Sequence, residues 1–185
     1  MVIKLSFACS FFIISLYHMG FTVGDHSERA PISPLQQVFL LKQLKPQLTK
    51  IGILCDLSQH PELPDRLARV GAQLDVKIVI KDTRQLKNVL KNFKFLVYRQ
   101  AVEVVWIFPD KVLIHPSASR YLIKEAVSAR VLLIAPDSDM VKKGATLFAE
   151  KNADRIKVHL NSKAMELLGL DVTPQLLNSA VVLVK

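Results

Sequence analysis

Hydrophobic and polar residues alternate along this chain in a pattern that predicts strands and helices in turn. Four short apolar runs predict strands, and the first of them is typical of a strand buried on both faces. Longer segments, whose apolar residues recur every three or four positions, separate them. The runs are IGILCD (51–56), VKIVIKD (76–82), VEVVWIFPD (102–110) and RVLLIAPDSD (130–139). This alternation predicts an α/β fold: an open parallel sheet of flavodoxin-like order with helices on both faces.

The helices between these strands are predicted from their apolar spacing and their capping residues. Their predicted ranges are 64–74, 83–100 and 115–129. Asp82 or Thr83 can cap the second of them, because both side chains accept hydrogen bonds from free N–H groups. After the last of the four strands we expect a loop, MVKKGA, and then a short extended piece, TLFAEK.

Two further helices flank this unit. The first precedes the sheet and is ended by Pro46, and its predicted apolar face consists of Leu35, Val38, Phe39, Leu41 and Leu44. Near the C-terminus an extended segment, RIKVHLN, leads into the helix SKAMELLGL. Ser162 can cap that helix and Gly169 can end it.

An apolar leader precedes the predicted fold. Residues 1–4 supply a positive charge and residues 5–23 are almost uncharged, which is the layout of a secretory signal. We therefore predict a signal peptide at 1–24, a polar linker at 25–34 and a single lobe at 35–185, with export to the periplasm. The alternative is an uncleaved leader that anchors the chain in the inner membrane, since its apolar stretch approaches the roughly 20 residues of a spanning helix.

Composition and charge narrow the function classes. Half of the residues are hydrophobic and 22% are charged, which is typical of a folded globular chain. The formal net charge is +9, and removal of the leader would take away only Lys4. Because the basic residues are spread along the chain without interleaved aromatics, we do not expect a nucleic-acid partner. Cys55 would be the one cysteine left, so no disulfide within the chain is expected.

Catalytic and cofactor motifs are missing from the sequence. Neither a glycine-rich phosphate loop nor metal-ligand spacing among the histidines and cysteines is found, so we predict no cofactor and no metal. Ser117 lies near His115, but without the glycines of a nucleophile elbow. Cys55 falls within a strand pattern and is expected to be buried rather than reactive. The chain is therefore predicted not to be an enzyme.

Acidic and small polar residues recur where the predicted strands end. They are Asp56, Ser58, Asp82, Asp110, Asp137 and Ser138. In open α/β sheets ligands bind beyond the carboxyl ends of the strands, near helix N-termini. We select Asp56, Ser58, Asp110, Asp137 and Ser138 as candidate ligand-binding residues. The competing interpretation is that these side chains cap the helices that follow them, and both roles can coexist.

The C-terminal stretch KVHLNSKAMELLGLDVTPQLLNSA resembles the ending of the periplasmic ABC-transporter substrate-binding proteins of the tryptophan and tyrosine type. The matching positions are Asn161, Ala164, Leu168-Gly169-Leu170, Pro174, Leu176-Leu177 and Ala180. LKQLKPQLTKIGILCD and VLLIAPDSDMVKKGATLF agree with the family in order. The resemblance runs from about Leu35 to the end and covers the second of the family's two lobes. Two loops depart from the family, LSQHPELP and DKVLI, and of the family's pocket positions Asp137 and Ser138 carry over best.

The resemblance implies an exported, non-enzymatic binding domain for a small, amino-acid-like solute, or an accessory to an envelope transporter or sensor. Because a single lobe covers one side of a ligand, a homodimer or an envelope protein partner would supply the other side. The alternative is an envelope enzyme of flavodoxin-like fold, with Asp110 or Asp137 as acid or base. A receiver-like signalling domain would need a pair of acids after the first strand, which the sequence lacks.

Overall fold

The structure is a computed structural model that describes residues 30–152, 155–172 and 180–184. The predicted signal peptide and the linker up to residue 29 lie outside the described residues. The strands are β1 (Ala30–Pro31), β2 (Lys50–Cys55), β3 (Lys77–Asp82), β4 (Val104–Ile107), β5 (Leu132–Ile134), β6 (Leu147–Asn152), β7 (Arg155–Asn161) and β8 (Ala180–Val184). The helices are α1 (Pro34–Leu44), α2 (Leu63–Leu74), α3 (Leu86–Lys94), α4 (Pro116–Ala129), α5 (Ser138–Lys142) and α6 (Ser162–Leu168).

The strands form one mixed sheet, in which most neighbours are parallel. The order is β3-β2-β4-β5-β6-β7-β8, and β1 pairs with the far end of β6. From β3 to β6 the strands are parallel, and this part has the predicted flavodoxin-like order. β7 turns back antiparallel to β6, and β8 runs parallel to β7. The predicted α/β fold with a largely parallel sheet is confirmed, with an antiparallel extension at one edge.

Helices cover both faces of the sheet, as the continuous apolar runs predict. On β4 the side chains of Val104 and Trp106 join one buried cluster, and those of Val105 and Ile107 join the other. The first cluster is closed by α1, α2 and α6, and the second by α3, α4 and α5. Alternate residues of a central strand therefore enter opposite cores, which explains why the strands lack polar positions.

Helix α1 ends before Pro46, as the sequence predicts, and it buries Val38, Leu41 and Leu44 of its predicted apolar face. Ser33 and Gln36 form a capping box, with Pro34 in the first turn. Leu35 and Phe39, which we predicted to be buried, are 37% and 56% exposed, whereas Gln37 is only 3% exposed. Compared with the prediction, α1 is rotated about its own axis, so that Gln37 faces the sheet and Phe39 faces solvent. This rotation brings Gln37 into the site described below.

The sequence misplaced several helix boundaries. Neither Asp82 nor Thr83 caps α3, which begins three residues after Thr83 and continues into a π-helical turn at Phe95–Arg99. The loop expected after the fourth strand contains α5 instead, capped by Asp137. Asn161 rather than Ser162 is the N-cap of α6. For α5 and α6 the capping side chain is the one whose oxygen reaches a free N–H group in the fold, whereas α3 begins without a side-chain cap.

The first described residues belong to the fold rather than to a tether. β1 pairs with Glu150 and Lys151 of β6, and Ser33 and Pro34 start α1. The part of the predicted linker from residue 30 onward therefore packs on the sheet. Among the residues that the structure describes, no helix has the length and apolar character needed to cross a membrane.

Candidate functional site

A cavity of about 520 Å³ opens at the carboxyl ends of β4 and β5. The start of α1 and the start of α2 close it from the sides. Its lining consists of Pro31, Ile32, Ser33, Pro34, Gln36, Gln37, His60, Glu62, Leu63, Arg66, Trp106, Ile107, Phe108, Pro109, Ala135, Pro136, Phe148 and Ala149. Both its volume and its place beyond parallel strand ends are typical of small-molecule sites in open α/β proteins.

Aromatic rings form the floor and one side of this cavity. The ring centroids of Trp106 and Phe108 are 4.9 Å apart, and the His60 ring packs edge-on against Phe108 at 5.4 Å. Trp106 is the penultimate residue of β4 and is 8% exposed. Its side chain lies on the face of the sheet that α1 and α2 cover. The consecutive strand-end residues Trp106, Ile107, Phe108 and Pro109 therefore give the cavity a rigid apolar wall that can pack against a planar ligand.

Gln37 is the polar residue that stands out in the wall. Its side chain is buried, and its Nε2 has no hydrogen-bond partner among the described residues. A buried amide N–H that lacks a partner costs free energy, on the order of 1–3 kcal/mol. A ligand with an acceptor atom at this point of the cavity would remove that cost.

Two of the predicted acidic residues, Asp56 and Asp110, meet beside the cavity. Asp110 is 1% exposed, and its carboxylate accepts a hydrogen bond from the backbone N–H of Asp56. The other carboxylate oxygen of Asp110 lies 2.9 Å from Nε2 of His60, a residue of the cavity wall. Asp110 thus fixes the His60 ring and links the cavity to the carboxyl end of β2.

Asp56 and its neighbours form a hydrogen-bonded turn after β2. The backbone N–H and the hydroxyl of Ser58 both donate to Asp56, and the Gln59 amide donates to its second oxygen at 2.8 Å. The hydroxyl of Ser58 and the amide of Gln59 lower the pKa of the Asp56 carboxyl below its usual range, with a further contribution from Arg84. Asp56 and Ser58 therefore satisfy one another within the loop.

Asp82 completes this cluster from the end of β3. Its carboxylate accepts from the N–H of Leu57 at 3.1 Å and lies 2.8 Å from Nε of Arg84. Three predicted site residues, Asp56, Ser58 and Asp110, are thus close together. Their polar atoms are engaged in holding the loop in place, which is a structural role.

The other two predicted residues lie elsewhere. Asp137 is the N-cap of α5, where its Oδ1 accepts from the N–H of Met140 at 2.7 Å, and Ser138 is the first residue of that helix. Asp137 lines a second cavity of about 530 Å³ between α4 and α5, bordered by Arg120 and Lys143. The structure therefore separates the five predicted residues into two places.

Metal and thiol chemistry have no visible basis at the cavity. In the described part of the chain, no three His, Cys, Asp or Glu side chains are arranged to hold a metal ion. Cys55 is buried at the end of β2, and burial together with the charge of nearby Asp110 raises the pKa of its thiol to about 12. The thiol is thus protonated at neutral pH, as expected of a core residue.

No protein-family model matches the chain, and a search of curated proteins finds no significant match. Solved structures do match. A conserved domain protein from Vibrio cholerae O1 biovar El Tor aligns with a TM-score of 0.69 at 18% identity, over 84% of this chain and 61% of that one. The ligand-free, open structure of a substrate-binding protein with adhesive properties from Clostridium difficile aligns with a TM-score of 0.65 at 18% identity, over 83% and 61%.

A third match is an ABC domain in complex with L-Trp from Streptococcus pneumoniae, with a TM-score of 0.65 at 18% identity, over 80% of this chain and 60% of that one. The chain shares its fold with substrate-binding proteins. It spans about three fifths of the length of these structures. The resemblance drawn from the C-terminal sequence therefore holds at the level of the fold.

Sequence reasoning missed the residues that line the cavity. Trp106 and Phe108 were assigned only to a strand, and Gln37 was not among the residues that we predicted to be buried. One available signal was the run of two aromatics and a proline at the end of the third apolar stretch, where a core strand would normally turn polar. No local signal marked Gln37, because its burial depends on how α1 meets the sheet.

Proposed function

We propose that this chain is an exported, non-enzymatic binding domain that holds a small solute in the cavity between α1, α2 and the ends of β4 and β5. The observation that carries this proposal is the aromatic cavity, whose wall contains a buried amide that no described residue pairs with. Binding sites of this kind are mostly apolar with a few placed polar groups. The fold shared with substrate-binding proteins supports the same function.

A second surface is part of this proposal. The cavity is formed by one lobe, whereas the solved structures that match are longer than this chain. A second copy of the chain or an envelope protein would cover the ligand from the other side, so that the domain serves either in solute delivery or as an accessory to a transporter or sensor. We place this activity in the periplasm, with an inner-membrane anchor as the alternative.

The contacts of the acidic residues argue for binding rather than catalysis. The Asp110 carboxylate is engaged by His60 and by the backbone of Asp56, and Asp137 caps a helix. An acid or base in catalysis needs a proton-transfer path to a reacting group. Asp137 is committed to capping α5, and Asp110 reaches the cavity only through the His60 ring, so neither carboxylate acts on a ligand directly.

Native mass spectrometry of the protein purified from its own envelope tests the proposal. We expect a small molecule to be retained, and we expect Phe108→Ala to lose it because the aromatic wall is broken. Phe39→Ala is the matched control, since Phe39 is exposed and does not line the cavity. Retention that survives Phe108→Ala, or a protein that carries no small molecule and binds none from a solute panel, would overturn the proposed site.

A further inference from the structure

Among the described residues, the cavity wall offers hydrogen-bond donors but contains no buried carboxylate. We infer that it selects aromatic ligands that carry a carboxylate or amide acceptor and no ammonium group. This inference rests on the proposed function and deepens it, because it separates the ligand from the free amino acids that the sequence resemblance suggests.

The donors come from α1 and α2. Gln37 Nε2 is buried without a partner in the described residues, so an acceptor on the ligand would satisfy it. Arg66 reaches the cavity from α2, and its ion pair with Glu62 is long, at 4.0 Å. A ligand carboxylate between Gln37 and the cavity opening could therefore accept a hydrogen bond from the Gln37 amide. It could also pair with the Arg66 guanidinium, whose ion pair with Glu62 is long.

An ammonium group would find no equivalent partner. Glu62 is the one carboxylate among the described lining residues, and its side chain is 58% exposed at the rim beside Arg66. Asp110 lies behind the His60 ring with both oxygens engaged. Burial of an ionised amine without a counter-charge is costly, so a zwitterionic amino acid would lose affinity relative to the same molecule without its amine.

The apolar wall determines the shape and size of the ligand's apolar part. The rings of Trp106 and Phe108 lie next to each other in the cavity wall, and Pro109 and Pro136 add further apolar surface to it. A single aromatic ring on a short chain fits the volume and would pack against these rings. The inferred ligand class is therefore an aryl-alkyl carboxylate or its amide.

A matched pair of probes tests this inference. 3-Phenylpropionate and L-phenylalanine differ only by the ammonium group, and neither absorbs appreciably where tryptophan is selectively excited. Trp106 is the single tryptophan of the chain and lines the cavity, so its fluorescence reports occupancy. We expect 3-phenylpropionate to bind at least about tenfold more tightly than L-phenylalanine, a difference of about 1.4 kcal/mol.

Variants of α1 connect this preference to Gln37. Gln37→Leu should weaken 3-phenylpropionate binding about fivefold or more, because the donor is lost. Gln37→Glu should weaken it further through repulsion between two carboxylates. Gln43→Leu, the same substitution on the same helix at a position that does not line the cavity, should bind like the unmodified protein. Circular dichroism would verify that each variant is folded.

The outcomes separate this inference from the proposed function. Equal or tighter binding of L-phenylalanine would overturn the inference and leave the solute site in place. Unchanged binding by Gln37→Leu would likewise overturn the role given to Gln37. If neither probe binds, the inferred ligand class is wrong, and the molecule retained in native mass spectrometry still decides the proposed function by itself.

Discussion

Glu103 is expected to stabilise the fold in a pH-dependent way, at the end of the sheet opposite the cavity. Its Oε1 accepts from the N–H and the hydroxyl of Thr49, at 2.8 and 2.9 Å, and its Oε2 lies 3.0 Å from Nζ of Lys45. Burial raises the pKa of this carboxyl, but the hydrogen bonds from Thr49 and Lys45 outweigh that effect and lower the pKa from 4.5 to about 2.

The magnitude follows from the difference between the folded and unfolded pKa. At about 1.4 kcal/mol per pKa unit, the shift corresponds to an upper bound of about 3 kcal/mol. The Glu103 side chain is 24% exposed, and glutamine would keep an acceptor oxygen, so we expect Glu103→Gln to cost about 1–2 kcal/mol at neutral pH. Because the folded pKa is the lower one, this stabilisation is complete above about pH 4.5 and is lost as the pH falls toward 2.

Urea unfolding at a series of pH values from about 7 to about 3 measures this effect. The difference in unfolding free energy between the original protein and Glu103→Gln should shrink steadily below about pH 4.5. Glu125→Gln is the control, because Glu125 pairs with Lys94 at the longer distance of 3.7 Å. A difference that is independent of pH, or an equal pH dependence in Glu125→Gln, would refute the assignment of the low pKa to the contacts of Glu103.

Three other predictions concern the core and the helices. Gly52→Ala should destabilise the protein by about 1–3 kcal/mol in urea unfolding, because the new Cβ would lie 3.0 Å from the buried Leu96 side chain; a stability equal to the original would contradict this. The thiol of Cys55 should react with iodoacetamide at about pH 8 only after unfolding, and fast native labelling would show that it is accessible. Asp137→Ala should cost about 1 kcal/mol by removing the α5 cap, whereas Asp137→Ser should retain most of it.

The type and order of most elements could be predicted because they depend on local periodicity. The run at 102–110 is apolar at successive positions, and this requires a strand covered on both sides, as β4 is. Pro46 and Gly169 each mark a helix end through their own backbone preferences, which hold regardless of the surroundings. The acidic residues at strand ends were likewise visible, since strand ends follow directly from strand positions.

Only the tertiary structure decided what those residues do. The sequence places Asp56, His60 and Asp110 up to 54 positions apart, and the parallel pairing of β2 with β4 brings them into contact. The antiparallel direction of β7 is also decided by the fold. A strand can pair with the free edge of β6 in either the parallel or the antiparallel direction, and the sequence of β7 does not distinguish them.

The candidate site depends on the rotation of one helix. Sequence periodicity predicted that Phe39 is buried and did not include Gln37. The predicted and the observed buried faces of α1 differ by a rotation of less than one full turn about the helix axis. Packing of α1 against α2 and the sheet selects the orientation that buries Val38, Leu41 and Leu44 together with Gln37. The sequence by itself thus determined the α/β architecture through short-range periodicity, whereas the polar group in the cavity was chosen by packing between elements, which no local pattern encodes.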